Sequence, residues 1–211
     1  MTLLQETRPD TTHSVVLARD AAGLEAFLHP ASAAAIWQRH MPDTVRAWLD
    51  MLDPGLLPNG RVIVAPHAVR QTVGHLCDIS GLPAGSERDW LQTDITALAK
   101  TFARLMSPRF LRLRLDVVTT NACRRFHIDA ITARLVCTYR GTGTQYGVSE
   151  GGADPSHVFS VATGAPILLR GTRWPPEPDP GLLHRSPPIE GTGETRLLLV
   201  LDPVTDPDDD L

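Results

Sequence analysis

The spacing of apolar positions changes once along this chain. From residue 24 to 106 it is mostly helical: Trp37 and Met41 share a face, and Pro42, whose fixed φ suits a first turn, opens a segment continued by Val45, Trp48 and Leu52. The run "DPGLLPNG" at 53–60 is a turn-rich break, and "RVIVA" after it reads as a short strand. Val69, Val73, Leu76 and Cys77 predict a helix ending near Gly81. Ser86 followed by Asp89 has the form of a capping box, and Leu91, Ile95, Leu98, Phe102 and Leu105 make one long stripe after it. Pro108 bars that helix from continuing.

Beyond Pro108 the period shortens. "FLRLRLDVV", "RRFHIDAI", "ARLVCTY", "HVFSVA", "APILLRG", "GLLHR" and "TRLLLVLD" read as strands separated by Gly, Pro, Ser and Thr. Helices that precede strands, without alternating with them, argue against a doubly wound parallel sheet. They predict an α+β chain: a mainly helical region over 1–107, and a sandwich or barrel over 108–205 that forms one integrated domain with it. "DPVTDPDDDL" reads as a solvated acidic tail.

A chain of 211 residues can bury a core without staples, and its net charge of −4 gives no general attraction for nucleic acid or anionic lipid. Arg109, Arg112 and Arg114, and the pair Arg124 and Arg125, are local basic runs whose plainer reading is a solvated face. The N-terminus lacks a leader pattern, and no apolar run nears the roughly 18 residues of a membrane span, so the expected setting is cytoplasmic. Cys77, Cys123 and Cys137 are odd in number and form no CxxC pair, which leaves buried small hydrophobes as their expected role.

The candidate chemistry lies in "CRRFHIDAITARLVCTYRGTGTQYG". On a strand, residues two apart point to one face, so His127 and Asp129 project together with Ile128 opposite. His184, in the apolar run "LLHRSPP", supplies a third ligand if barrel closure brings the distant strands together. Two imidazoles and a carboxylate on one face of a metal leave positions open for oxygen and substrate, as in non-haem Fe(II) enzymes. Each residue also has a plainer reading: His127 as a core histidine whose tautomer Asp129 fixes, His184 as a turn residue, and Arg196 as a rim charge. His157 is a reserve ligand. Tyr139, with Thr138 and Gln145, lines a barrel mouth or else turns its ring into the core. "GVSEG" is a formal GxSxG with Asp179 and His184 after it, but a nucleophile elbow needs a helix straight after Ser149, and "GGADPSH" breaks one. A serine hydrolase is therefore the remote alternative.

Through HxD, the later His184, and Arg196 twelve residues beyond it, residues 110 to 202 resemble the non-haem Fe(II), 2-oxoglutarate-dependent dioxygenases. The resemblance implies a double-stranded β-helix, a jelly-roll or cupin-like barrel with the N-terminal helices packed on it. It implies His127, Asp129 and His184 as metal ligands and catalytic centre, and Arg196 as the partner of the cosubstrate carboxylate, with Tyr139 also at the cosubstrate. Many of those enzymes carry a serine two residues past the arginine; Leu198 stands there. Through "CRRFHIDAITARLVCTYRGTGTQYG" and "LLHRSPP" the chain is also similar to an uncharacterised bacterial family, domain of unknown function 1826, which implies a link to metal supply and a metal-chaperone GTPase as partner. The expectations are thus an oxygenase acting on a small-molecule or protein substrate, a non-enzymatic zinc-binding protein using the same pocket, or a metal-free barrel that binds a small ligand.

Overall fold

The computed structural model describes residues 14–149, 152–175 and 181–206. Its elements run β1 (Ser14–Ala18), β2 (Ser32–Trp37), α1 (Asp43–Met51), β3 (Gly60–Val64), α2 (Val69–Ser80), α3 (Ser86–Met106), β4 (Phe110–Val118), β5 (Ala133–Arg140), β6 (Gln145–Val148), β7 (Phe159–Ser160), β8 (Pro166–Arg170), β9 (Leu182–Arg185) and β10 (Arg196–Val204), with short 3-10 turns at Gly23–Leu28, Pro54–Leu56 and Pro66–Ala68. Seven strands form one sheet in the order β1-β2-β8-β5-β10-β4-β3, and three form a second in the order β7-β6-β9. Among the described residues only the β1–β2 pair is parallel.

Alternation decides what each face of the large sheet meets. Leu111, Leu113 and Leu115 of β4, Leu135, Cys137 and Tyr139 of β5, and Leu197, Leu199 and Leu201 of β10 lie in one core cluster with Val45 and Leu49 of α1, Val73 of α2, and Leu91, Ile95, Leu98 and Phe102 of α3. Each fully buried Leu or Phe in that layer contributes roughly 1.5–3 kcal/mol. The intervening residues face the other way: Val136, Ile167, Leu169, Leu198 and Val200 pack in a second cluster with Leu182 of β9, with Tyr146 and Val148 of β6 against it. This second cluster lies between the two sheets.

The N-terminal part differs from its helical spacing. "SAAAIW" is β2, buried between β1 and β8, so Trp37 and Met41 share no helix face. The helix preference of three alanines is a fraction of a kcal/mol each, and pairing with a strand on both sides outweighs it. Within the described residues of 14–107, α1, α2 and α3 are thus accompanied by β1, β2 and β3, which belong to the sheet built by the later strands. The helices at α1, α2 and α3 fall where their stripes predict, and α2 ends at Gly81, whose φ of 71 lets its N–H reach the Cys77 and Asp78 carbonyls. The capping box does not form: Gly85 is the N-cap of α3, and the Ser86 hydroxyl donates to Glu87 at 2.9 Å. No helix of the described residues is long and apolar enough to cross a membrane.

Candidate metal centre

The segment predicted as the strand "RRFHIDAI" forms no ladder of its own. It is extended and joined to β9 through a single bridge, in which His127 N–H donates to the His184 carbonyl at 3.0 Å and His184 N–H donates to the His127 carbonyl at 3.0 Å. Antiparallel neighbours place their side chains on one face, so the two imidazoles lie side by side with ring centroids 4.5 Å apart. Asp129, two residues on, joins them: His184 Nε2 is 3.0 Å from its Oδ2 and His127 Nε2 is 3.6 Å from its Oδ1. One ligand atom from each of the three lies within 4.8 Å of the others.

The local backbone fixes these donors. Thr172 N–H and Arg173 N–H donate to the Asp129 and Ile131 carbonyls at 2.9 and 3.0 Å, and Gly171 N–H donates to the Thr132 carbonyl at 2.9 Å. A Cβ on Gly171 would stand 2.0 Å from the Ile131 carbonyl oxygen and 2.7 Å from that of Asp129. Gly171→Ala is expected to push this turn away at a cost of about 1–3 kcal/mol, read as a lower melting temperature together with weaker metal binding. Unchanged values of both would refute this account of the turn.

The His127 ring has its Nδ1 2.8 Å from the Arg125 carbonyl, which can only accept, so Nδ1 carries the proton and Nε2 presents a lone pair to the site. Burial lowers the pKa of His184 below the ordinary histidine value despite Asp129 beside it, favouring a neutral ring able to ligate. The Asp129 carboxylate beside it raises the pKa of His127, so proton and cation compete for its Nε2. Burial alone would raise the pKa of Asp129, but His127, His184 and Arg134 outweigh it and hold the carboxyl well below the usual range.

Arg134 was not singled out by the sequence. Its NH1 lies 2.6 Å from Asp129 Oδ1, while its Nε and NH2 donate to the two oxygens of Asp202 at 2.7 and 2.8 Å. Asp202 is 1% exposed, with Arg112 3.6 Å away on its other side. One carboxylate oxygen of Asp129 is thus held by a cation, while Oδ2 is buried with no hydrogen-bond partner among the described residues, the contact with His184 lacking suitable geometry. An unsatisfied anionic oxygen beside two imidazole nitrogens is an arrangement that a divalent cation would satisfy, so the residues present fit a metal.

The remaining predicted residues divide. Arg196 is 0% exposed at the start of β10 and shares its parity with Leu198 and Val200, which lie between the sheets. Its Nε donates to the Thr142 carbonyl at 2.6 Å, while NH1 and NH2 have no partner among the described residues. Burial pulls its pKa down to about 10, with Glu194 opposing. Tyr139 is not at the cluster: its ring is in the α3-facing core and its hydroxyl donates to Asp94 at 2.6 Å, because its parity is that of Leu135 and Cys137. Gln145 accepts from Arg185 Nε at 2.8 Å. His157 is exposed and is not part of the three-residue cluster. Ser149 donates to the Ala153 carbonyl at 2.7 Å, with no helix in 152–175 to make an elbow; Glu150, Gly151 and Asp179 lie outside the described residues.

The family model described as "Protein of unknown function (DUF1826)" matches residues 18–202. The chain belongs to the DUF1826 family. None of the curated proteins matches this DUF1826 chain. Among solved structures it is similar to the rice dioxygenase for auxin oxidation, with a TM-score of 0.50 at 12% identity, covering 93% of this chain and 85% of that one. The Arabidopsis thaliana dioxygenase for auxin oxidation 1, in its 2-oxoglutarate complex, gives a TM-score of 0.49 at 12% identity, with 94% and 95% covered. A Pseudomonas putida prolyl-4-hydroxylase gives 0.44 at 13% identity, with 92% and 98% covered. At this identity, the likeness to the rice enzyme shows a shared fold of a large sheet with few helices.

Proposed function

We propose that this DUF1826 chain is a non-haem Fe(II), 2-oxoglutarate-dependent oxygenase. The facing sheets, with the His127 segment as a fourth strand beside β9, support reading the fold as a double-stranded β-helix with the helices on its outer face. His127 Nε2, His184 Nε2 and Asp129 Oδ2 would hold the metal, which supplies oxygen activation when bound. The chain's own contribution is to set the two imidazoles side by side, to favour a neutral His184 by burying it, and to fix the carboxylate through Arg134 so that it binds by one oxygen.

Arg196 carries the choice of an oxygenase over a simple metal store. A guanidinium with no exposure and two unpartnered nitrogens is costly unless an anion enters to meet it. Arg134 cannot take that part, since Asp129 and Asp202 already engage it. Arg196 is not one of the three ligand residues, so it can be replaced without removing a metal ligand. Anaerobic addition of Fe(II) and 2-oxoglutarate should give a weak visible charge-transfer band that His127→Ala abolishes. Arg196→Leu should raise the 2-oxoglutarate concentration needed by about tenfold or more, the effect of losing a charged hydrogen-bond pair. A metal-loaded protein with no band and no 2-oxoglutarate consumption would refute the oxygenase.

The second reading is a zinc-binding protein of metal supply, working with a metal-chaperone GTPase. It is favoured by the position of His127 at an open cleft, where an ion can be exchanged. Two imidazoles and a carboxylate suit Zn(II) as well as Fe(II), and equilibrium affinity favours zinc in either protein. Tight zinc binding without turnover under iron loading would support it.

A further inference from the structure

The segment that presents His127 also presents Arg124 and Arg125. Ala122, Cys123, Arg124, Arg125 and His127 line an open cleft of about 400 Å³. The segment is anchored on both sides of the arginines: the Cys123 carbonyl accepts from Ser186 N–H at 2.9 Å, and the Phe126 ring lies 4.3 Å from the Arg185 guanidinium. Arg124 and Arg125 are exposed, and neither side chain has a carboxylate partner among the described residues. Elsewhere Arg39, Arg88 and Arg104 each pair with an acidic residue. The nearby Glu190 accepts from Asn121 Nδ2 at 2.8 Å and does not neutralise them. In a chain of net charge −4, this is a local concentration of positive charge at the wall that carries a metal ligand.

We propose that this cleft is the substrate's approach to the metal centre, and that the substrate carries a carboxylate or phosphate group held by Arg124 and Arg125. The inference rests on the metal-centre reading above and adds the substrate's chemical class. Two guanidinium forks on an anchored segment suit a planar carboxylate or a phosphate. The volume lies near the lower end of the roughly 300–1,000 Å³ of small-molecule sites, so the ligand is a small anion whose other end reaches past His127.

The test is calorimetric titration of the full chain, freed of metal over a chelating resin, with inorganic pyrophosphate and with tricarballylate as phosphate and carboxylate probes. At least one should bind at about 50 mM salt and weaken at higher salt, where screening shortens. The Arg124→Gln/Arg125→Gln double variant should bind it about tenfold or more weakly, the effect of losing charge-assisted hydrogen bonds. A parallel Co(II) titration, monitored in the visible, should show the triad unaltered in that variant. Failure of both probes to bind the wild type, or equal affinity in the variant, would overturn the proposal; equal affinity would mean that the probe sits elsewhere, as at Arg196. Arginine-dependent anion binding in a protein that takes no Co(II) would support the anion cleft and refute the metal centre beside it.

Discussion

Asp129→Ala is expected to remove most of the metal affinity while leaving the fold intact. Losing an outer hydrogen-bond partner of a ligand costs about 10–100-fold in affinity, and Asp129 is both a direct ligand candidate and the only carboxylate in the cluster. The loss should therefore exceed about 100-fold. Arg134 keeps its two bonds to Asp202, so the chain loses no other buried pairing. Asp129→Asn preserves shape and removes charge, and should fall between the variant and the wild type. Co(II) absorption measures this directly, with circular dichroism to report folding. Equal Co(II) affinity in a folded Asp129→Ala protein would dispose of the centre.

Arg134→Leu should give the largest loss of stability. Asp202 is 1% exposed and loses its two-pronged partner, and Asp129 loses the cation on Oδ1. Removing one member of a buried ion pair costs about 3–5 kcal/mol, because the other charge stays behind. Arg112, 3.6 Å from Asp202, offsets part of this, so a loss near 3 kcal/mol is expected. For a chain of this size that corresponds to a melting temperature lower by roughly 10 °C. Arg134→Lys keeps the charge but not the planar fork, and should recover less than half of the loss. A melting temperature within about 2 °C of the wild type would show that Asp202 is satisfied by other means.

The legible parts of the sequence were those whose cause is local. β4 runs over the predicted "FLRLRLDVV" because alternation of leucine with charge is a two-residue property, and α2 and α3 follow from stripes and a glycine stop. HxD could be found the same way, since one extended segment aims both residues. Arg134 could not, because its partner Asp202 is 68 residues away. The signal available was its parity with Val136, which made it a charge on a face turned toward the other sheet. β2 escaped for a similar reason: only its neighbours β1 and β8 make an alanine run extended. Tyr139 shows the converse, since its parity with Cys137 already placed it in the core.

The reciprocal backbone bonds between His127 and His184 have a consequence for how the protein would handle an ion. Because the spacing of the two rings is set by main-chain pairing, the socket is shaped before anything is plugged into it. Cargo can then come and go without the chain having to refold, unlike in a zinc finger, where removing the ion dissolves the structure. A chelator should strip the site and leave a folded, reloadable protein.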